Sequence, residues 1–202
     1  MPNTPFWETT YQDFAVSSFG KPSQEFYDLI HRLPPHAKVL DLGCGEGRNA
    51  LFLAEHGCEV TAVDISVSGI QKLQHLAASR ALSIQTAVQD MRTYTFQECF
   101  DLIISHGCLH LIARDEWQPL LAQCQHYTKL GGYNIVVVFT DRIVPSEDMA
   151  EFCVGLFREG ELFEYYAKWI THRQESYALE HEHPGNIRHT HAINKIVAQK
   201  PH

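Results

Sequence analysis

The chain has no run of apolar residues approaching the ~20 needed to cross a bilayer. Nothing at its start reads as a secretion signal: residues 1–20 carry Glu8 and Asp13 and lack a basic segment followed by an apolar one. The six cysteines, at 44, 58, 99, 108, 124 and 153, form no Cys-x-x-Cys pair. A chain this long does not need disulfide staples, so they are expected to be reduced and mostly buried, in a cytoplasmic protein. Positive charge is also scarce. Sixteen Lys and Arg against 24 Asp and Glu leave a net charge of −8, so neither nucleic acid nor an anionic membrane is expected as a partner, because both require a positive field. There is no internal repeat and no low-complexity tract. What remains is a 202-residue chain, 45% hydrophobic, long enough to bury one substantial core, and a single domain is expected.

Short apolar runs alternate with amphipathic stretches, the pattern of a doubly wound α/β sheet. Strands are predicted at Lys38–Leu42, Glu59–Val63, Ile84–Val88, Phe100–Ser105 and Tyr133–Phe139. Between them, helices are predicted at Arg48–His56, stopped by Gly57; after a Ser66 cap, with Ile70, Leu73, Leu76 and Ala77 at helical spacing; and at Asp115–Tyr127. Beyond Pro145 the pattern changes. A helix is expected over Glu147–Phe157 and a shorter one over Glu161–Ala167. Two alternating segments follow, Trp169–Leu179 and Arg188–Ala198, joined through Pro184-Gly185-Asn186 as a hairpin. Residues 1–37 are rich in aromatics and are expected to form a helical cap over the carboxyl ends of the strands. Residues 38–140 would form the ligand-binding core and 141–202 the C-terminal helices and hairpin.

The first predicted strand runs into Asp41-Leu42-Gly43-Cys44-Gly45-Glu46-Gly47-Arg48-Asn49. Glycines there let main chain approach a ligand and adopt angles closed to other residues. A phosphate-binding P-loop would continue Gly-Lys-Ser/Thr, and here Gly47 is followed by Arg48-Asn49. A dinucleotide fingerprint would place a small residue where Arg48 stands. The pattern that fits is Asp-x-Gly-x-Gly-x-Gly, suited to S-adenosyl-L-methionine, which carries no phosphate. Asp41 is placed for the cationic amino-acid end. Asp64, closing the second strand, can offer two acceptor oxygens to a ribose diol, with Ile65 beside it. Asp90, closing the third, can accept from an adenine amino group while Met91 packs on the ring. Any one of these carboxylates suits an ordinary turn; three at successive strand ends make a pocket.

From about Lys38 to Phe139 the chain resembles the class I S-adenosylmethionine-dependent methyltransferases. Within that class, Leu42–Asn49, Gly132-Tyr133-Asn134-Ile135, Phe157-Arg158-Glu159-Gly160-Glu161-Leu162 and Tyr165-Tyr166-x-x-Trp169 are similar to the tellurite-resistance methyltransferase group. The resemblance implies a Rossmann-like seven-stranded sheet with an antiparallel last pair, and methyl transfer to a small-molecule acceptor with S-adenosyl-L-homocysteine as product. It implies that Gly43, Gly45, Ser105 and His106 line the cofactor, with Arg48 and the Phe19-Gly20-Lys21-Pro22-Ser23 segment near its carboxylate. A thiol, or an oxyanion such as tellurite or selenite, is the acceptor it suggests. The chain departs from the group where the penultimate strand ends: Glu180-His181-Glu182-His183 stands where a His-Arg pair is the pattern, and Arg188 matches a second arginine. Two glutamates there raise the cost of seating an anion.

His181, His183, His189 and His191 would share one side of the hairpin if His183 faced His189, an arrangement open to a metal. A solvated polar hairpin is the expected reading, with no metal. His106, His181 and Arg188 are the catalytic candidates: His181, Arg188 or His191 could contact an acceptor, and His106, His110 or His181 could serve as a base, His110 being equally suited to the core. A non-catalytic cofactor-binding sensor and a nicotinamide oxidoreductase are the rival functions.

Overall fold

The computed structural model describes residues 6–14, 20–183 and 187–202. Seven strands form one mixed sheet: β1 (Lys38–Leu42), β2 (Glu59–Asp64), β3 (Ile84–Val88), β4 (Phe100–His106), β5 (Thr128–Thr140), β6 (Ile170–His183) and β7 (Ile187–Gln199), in the order β3-β2-β1-β4-β5-β7-β6. β1 pairs with β2 and β2 with β3 in parallel, whereas β7 pairs antiparallel with both β5 and β6. This is the doubly wound sheet with an antiparallel last pair expected from the sequence. The chain clusters into two compact units, Met1–Ile104 and Ser105–His202. All six cysteines are free.

In the first unit the core is built on β1, whose Val39, Leu40 and Leu42 are fully buried. Such two-sided burial is what a near-continuous apolar strand in a parallel sheet requires. Helix α3 (Arg48–Glu55) starts directly after Gly47, whose φ of 80° no side-chain-bearing residue adopts readily. Helix α4 (Val67–Ser79) is capped as expected, with the Ser66 hydroxyl accepting from the amide of Gly69 at 2.9 Å. Upstream lie two short helices, α1 (Phe6–Thr10) and α2 (Gln24–Leu29).

The second unit differs from the sequence reading in three places. β5 begins at Thr128 rather than Tyr133. Residues 129–132 precede the predicted strand, but Gly131 N donates to Lys200 O and Lys200 N to Gly132 O, so the segment joins the ladder. The helix expected over Glu147–Phe157 is only α6 (Glu147–Ala150). Beyond it the main chain bonds elsewhere: Gly155 N donates to His110 O, and Gly155 O accepts from Trp117 Nε1 at 2.9 Å. Helix α7 (Glu161–Tyr165) is likewise short. Finally, the hairpin register pairs His181 with His189 and His183 with Ile187, so His183 does not face His189. The register is shifted by two residues from that expectation, and the side chains of His181, His183 and His189 lie outside the described residues. The turn residues 184–186 lie outside the described residues.

Helix α5 (Arg114–Tyr127) carries Trp117, fully buried and stacked on Phe157 at 3.8 Å. A Cβ on Gly155 would lie 1.9 Å from the carbonyl oxygen of Ile112 and 3.0 Å from Trp117 Cδ1. Backbone cannot yield cheaply there. Gly155→Ala is expected to lose about 2–3 kcal/mol of stability, the upper part of the range for overpacking, measured by urea unfolding. A loss within experimental error would show that the Ile112 loop relaxes freely.

Candidate functional site

The glycine loop spends its own amides. Gly43 N and Cys44 N both donate to Val63 O, at 2.8 and 3.1 Å, and Gly47 N donates to Cys44 O at 2.9 Å. Gly45 N donates to Asp64 Oδ2 at 2.7 Å. A phosphate cradle works by offering unsatisfied amides to an anion, and in this loop these four amides already have protein acceptors. The positive φ angles of Gly43, Gly45 and Gly47, 75°, 56° and 80°, make the tight turn that allows it.

Asp41 ends the buried strand below the loop. It is 1% exposed, and its Oδ2 has no hydrogen-bond partner among the described residues. A buried carboxylate left so is costly. Burial, with the Asp64 charge adding to it and Arg48 opposing, pushes its carboxyl up to about 7. Asn49, first turn of α3 and 5% exposed, has an Oδ1 in the same condition. Arg48 is pulled below its ordinary value by burial, against the opposing charges of Asp41 and Glu25. Its guanidinium lies 3.5 Å from Lys21 O, within the segment expected near it. Phe19 of that segment lies outside the described residues.

Asp64 has a role the sequence did not show. Its Oδ2 holds Gly45 N and its Oδ1 accepts from Ser66 N at 2.8 Å, so one carboxylate ties the loop to the start of α4. An ionised carboxylate has about four acceptor positions, which leaves capacity for a ligand. Burial raises its carboxyl, with the two amide bonds acting against that. Ile65, next along, is 59% exposed. Asp90 is committed differently from the expectation: it caps a short 3-10 turn at Arg92 N (2.9 Å) and pairs with the Arg92 guanidinium at 2.5 Å. Hydrogen bonding to Arg92 holds its carboxyl below the ordinary value. Met91, beside it, is half-buried.

Residues that the sequence reading did not single out complete this face of the first unit. Glu8 of α1 accepts from Ser66 Oγ and, at 2.9 Å, from Ser68 N. Burial would raise its carboxyl, but these bonds outweigh it and hold it low. The buried Tyr11 hydroxyl sits 2.5 Å from where a Cβ on Gly45 would lie, and burial beside Asp64 and Glu46 pushes its phenol up. Glu46, inside the loop, pairs with Lys72 of α4 at 2.6 Å. The signal available was weak: contacts between residues about 26 to 60 positions apart leave no spacing pattern.

Of the candidates in the second unit, Ser105 is buried with its hydroxyl 3.1 Å from Cys108 Sγ, and His106 is half-buried at the end of β4. His110 is 1% exposed, stacked on Phe139 at 3.9 Å, and its Nδ1 accepts from Phe139 N at 3.3 Å. Burial, with His191 nearby, drives it down to about 3. His110 is therefore a neutral core residue at physiological pH, the second of the two readings left open for it. His191 stacks on the other partner of that contact, 4.2 Å from Phe139. The side chains of His181 and Arg188 lie outside the described residues. Among the described residues, no group of three or more His, Cys, Asp or Glu is placed to hold a metal ion.

The family model for the tellurite resistance protein TehB matches residues 20–193. A probable S-adenosyl-L-methionine-dependent methyltransferase TehB of Haemophilus influenzae is 37% identical over 134 residues, 65% of this chain and 46% of that protein. A 2-heptyl-1-hydroxyquinolin-4(1H)-one methyltransferase of Mycobacteroides abscessus is 31% identical over 159 residues, 76% of this chain and 67% of that protein. The crystal structure of TehB from Haemophilus influenzae superposes with a TM-score of 0.78 at 27% identity, covering 96% of this chain and 66% of that one. The chain thus spans about half the length of the first of these relatives.

The raised Asp41 carboxyl has a measurable consequence. Its folded value, about 7, lies above the ordinary 3.8, so from about pH 4 to about 7 the folded state holds a proton the unfolded chain has released. Stability falls as pH rises through that window. Asp41→Asn removes the effect. Relative to the parent, the variant is expected to gain stability steadily from about pH 4 to about 7 in urea unfolding. A pH-independent difference would mean that Asp41 ionises in the fold as it does in water.

Proposed function

This chain belongs to the tellurite resistance protein TehB family, and from that premise we propose that it is an S-adenosylmethionine-dependent methyltransferase acting on a small nucleophile, a thiol or a chalcogen oxyanion such as tellurite or selenite. The observation that carries the cofactor reading is the buried Asp41 oxygen, without a hydrogen-bond partner among the described residues, under a glycine loop four of whose amides are spent within the protein. That combination suits a ligand with a cationic end and no phosphate.

S-Adenosylmethionine supplies, when bound, a methyl group already activated on a sulfonium. Asp41 would receive the cationic amino group and Arg48 the carboxylate; Gly43 and Gly45 give room for close approach. Asp64 would receive the ribose hydroxyls through its remaining acceptor positions, beside Ile65. Asp90 and Met91 would lie by the adenine. Ser105 and His106 are assigned to the methionine part.

The chain's task in such a reaction is to hold the nucleophile in line and to exclude water. A soft thiolate or oxyanion of tellurium or selenium requires no strong base. The core position of His110 supports such an acceptor, since it removes one of the bases an oxygen or nitrogen nucleophile would use. His106, His181 and Arg188 remain the catalytic candidates, and the glutamates at 180 and 182 set the cost of seating an anion beside the last two.

Two measurements test this. Asp64→Ala is expected to weaken S-adenosylhomocysteine binding by about 1.5–3 kcal/mol, the range for hydrogen bonds to a charged group; an unchanged dissociation constant would remove Asp64 from the site. Transfer of labelled methyl from S-adenosylmethionine is then followed across a thiol, selenite, tellurite, a small amine and a hydroxyquinolone. Turnover of the thiol or an oxyanion is expected. Turnover confined to the amine or hydroxyquinolone would overturn the acceptor reading, and stabilisation by NAD(H) alone would overturn the cofactor.

A further inference from the structure

The glycine loop has a second side, turned to α4, where an ion pair lies that the proposed function does not use. Lys72 Nζ is 2.6 Å from Glu46 Oε2, and the two side chains are 1% and 3% exposed. Taking two charges out of water is costly, and packed apolar side chains of similar volume often serve stability as well or better. Stability alone is therefore a poor reason for a buried pair at this place. Conformational specificity is a better one, and the position supplies the argument.

Glu46 stands between Gly45 and Gly47, both left-handed, at φ 56° and 80°. Glycine on either side leaves the intervening peptide units many alternatives, so something outside the loop must choose among them. Gly69, Lys72 and Leu73 lie at i, i+3 and i+4 on one face of α4. They meet the loop in order. A Cβ on Gly69 would be 2.9 Å from Gly45 O, Lys72 pairs with Glu46, and a Cβ on Gly47 would be 2.3 Å from Leu73 Cδ1. The outer two contacts are close packing, which limits approach without fixing rotation. The central one is an ion pair between two buried charges, 2.6 Å apart, which attracts the loop to one place on the helix.

We propose that Glu46 and Lys72 are positioning residues: their buried ion pair selects the loop conformation in which Gly45 N reaches Asp64 and Asp41 is left open to the cofactor. The inference rests on the cofactor reading of this loop given above. Neither residue touches the reacting atoms, so their effect is on how tightly the cofactor seat is formed.

The test uses the double variant Glu46→Gln/Lys72→Met, which leaves no unpaired buried charge. Its urea unfolding should stay near the parent's, while the dissociation constant for S-adenosylhomocysteine, by titration calorimetry, rises about 10- to 100-fold, the scale on which misplacement by about an ångström is felt. Hydrogen exchange at residues 45–47 should quicken, and KM for S-adenosylmethionine should rise by more than kcat falls. If the double variant does not fold, Glu46→Gln alone, which keeps one oxygen for Lys72, should weaken binding in the same direction by a smaller factor. A folded variant with parental affinity and parental exchange at the loop would overturn the proposal. A parent that itself fails to bind S-adenosylhomocysteine would overturn the cofactor reading, and this inference with it.

Discussion

The first unit is organised around one carboxylate. Asp64 joins the amide of Gly45 to that of Ser66, so the glycine loop and the start of α4 are held by the two oxygens of a single side chain. Everything near the loop follows from that link. Ser66 is then placed to cap α4 through Gly69 N, and the same hydroxyl reaches Glu8, which also takes Ser68 N. α1 is thereby attached to the N-terminus of α4, where an acidic side chain is favoured by the helix dipole. Tyr11 follows α1 and packs against the space that Gly45 leaves empty.

The second unit has carboxylate hubs of its own, and both fall in the Phe157–Leu162 segment that links the chain to its family. Glu159 accepts from Thr140 Oγ1 at 2.7 Å, from Asn194 Nδ2 at 3.1 Å and from Ser176 Oγ, joining β5, β7 and β6. Glu161 accepts from the Arg114 guanidinium at 2.9 Å and from Arg158 N at 3.0 Å, securing the start of α5. Tyr166 and Asn134, from the two other signature segments, bond to each other at 2.9 Å in the core. Within this unit the signature residues are a frame. Their chemistry is spent on holding strands and helices in place, which is why they say little about the acceptor.

What was legible in the sequence was local. The strand-loop-helix from Lys38 to Glu55 reads directly from apolar runs and glycines, and so does the Ser66 cap. The positions of Asp41 and Asp64 were also legible, because a strand end is visible in one dimension. Their partners were not. Nothing in the helical spacing singles out Lys72, and only folding shows it buried against Glu46. His110 was ambiguous because a histidine after a strand suits a site or a core equally, and only its stack on Phe139 separates them. The hairpin register depended on turn geometry that composition does not fix. The end of α6 was misread because the competing partners of Gly155, His110 O and Trp117 Nε1, lie about 40 residues away in the chain.

The acidity of the loop's surroundings bears on turnover as well as on binding. Asp41 runs into the loop and Asp64 holds its Gly45 amide, in a chain of net charge −8. Under the proposed function, each transfer converts a sulfonium to a neutral thioether, so the spent cofactor carries one positive charge fewer than the fresh one. A seat lined with carboxylates then discriminates by charge between what it should admit and what it should expel. Burial pushes the Asp41 carboxyl up to about 7, so a cationic ligand end would favour its ionised form. The amino group proposed for Asp41 is the same in both forms, so any such discrimination would rest on the sulfonium alone.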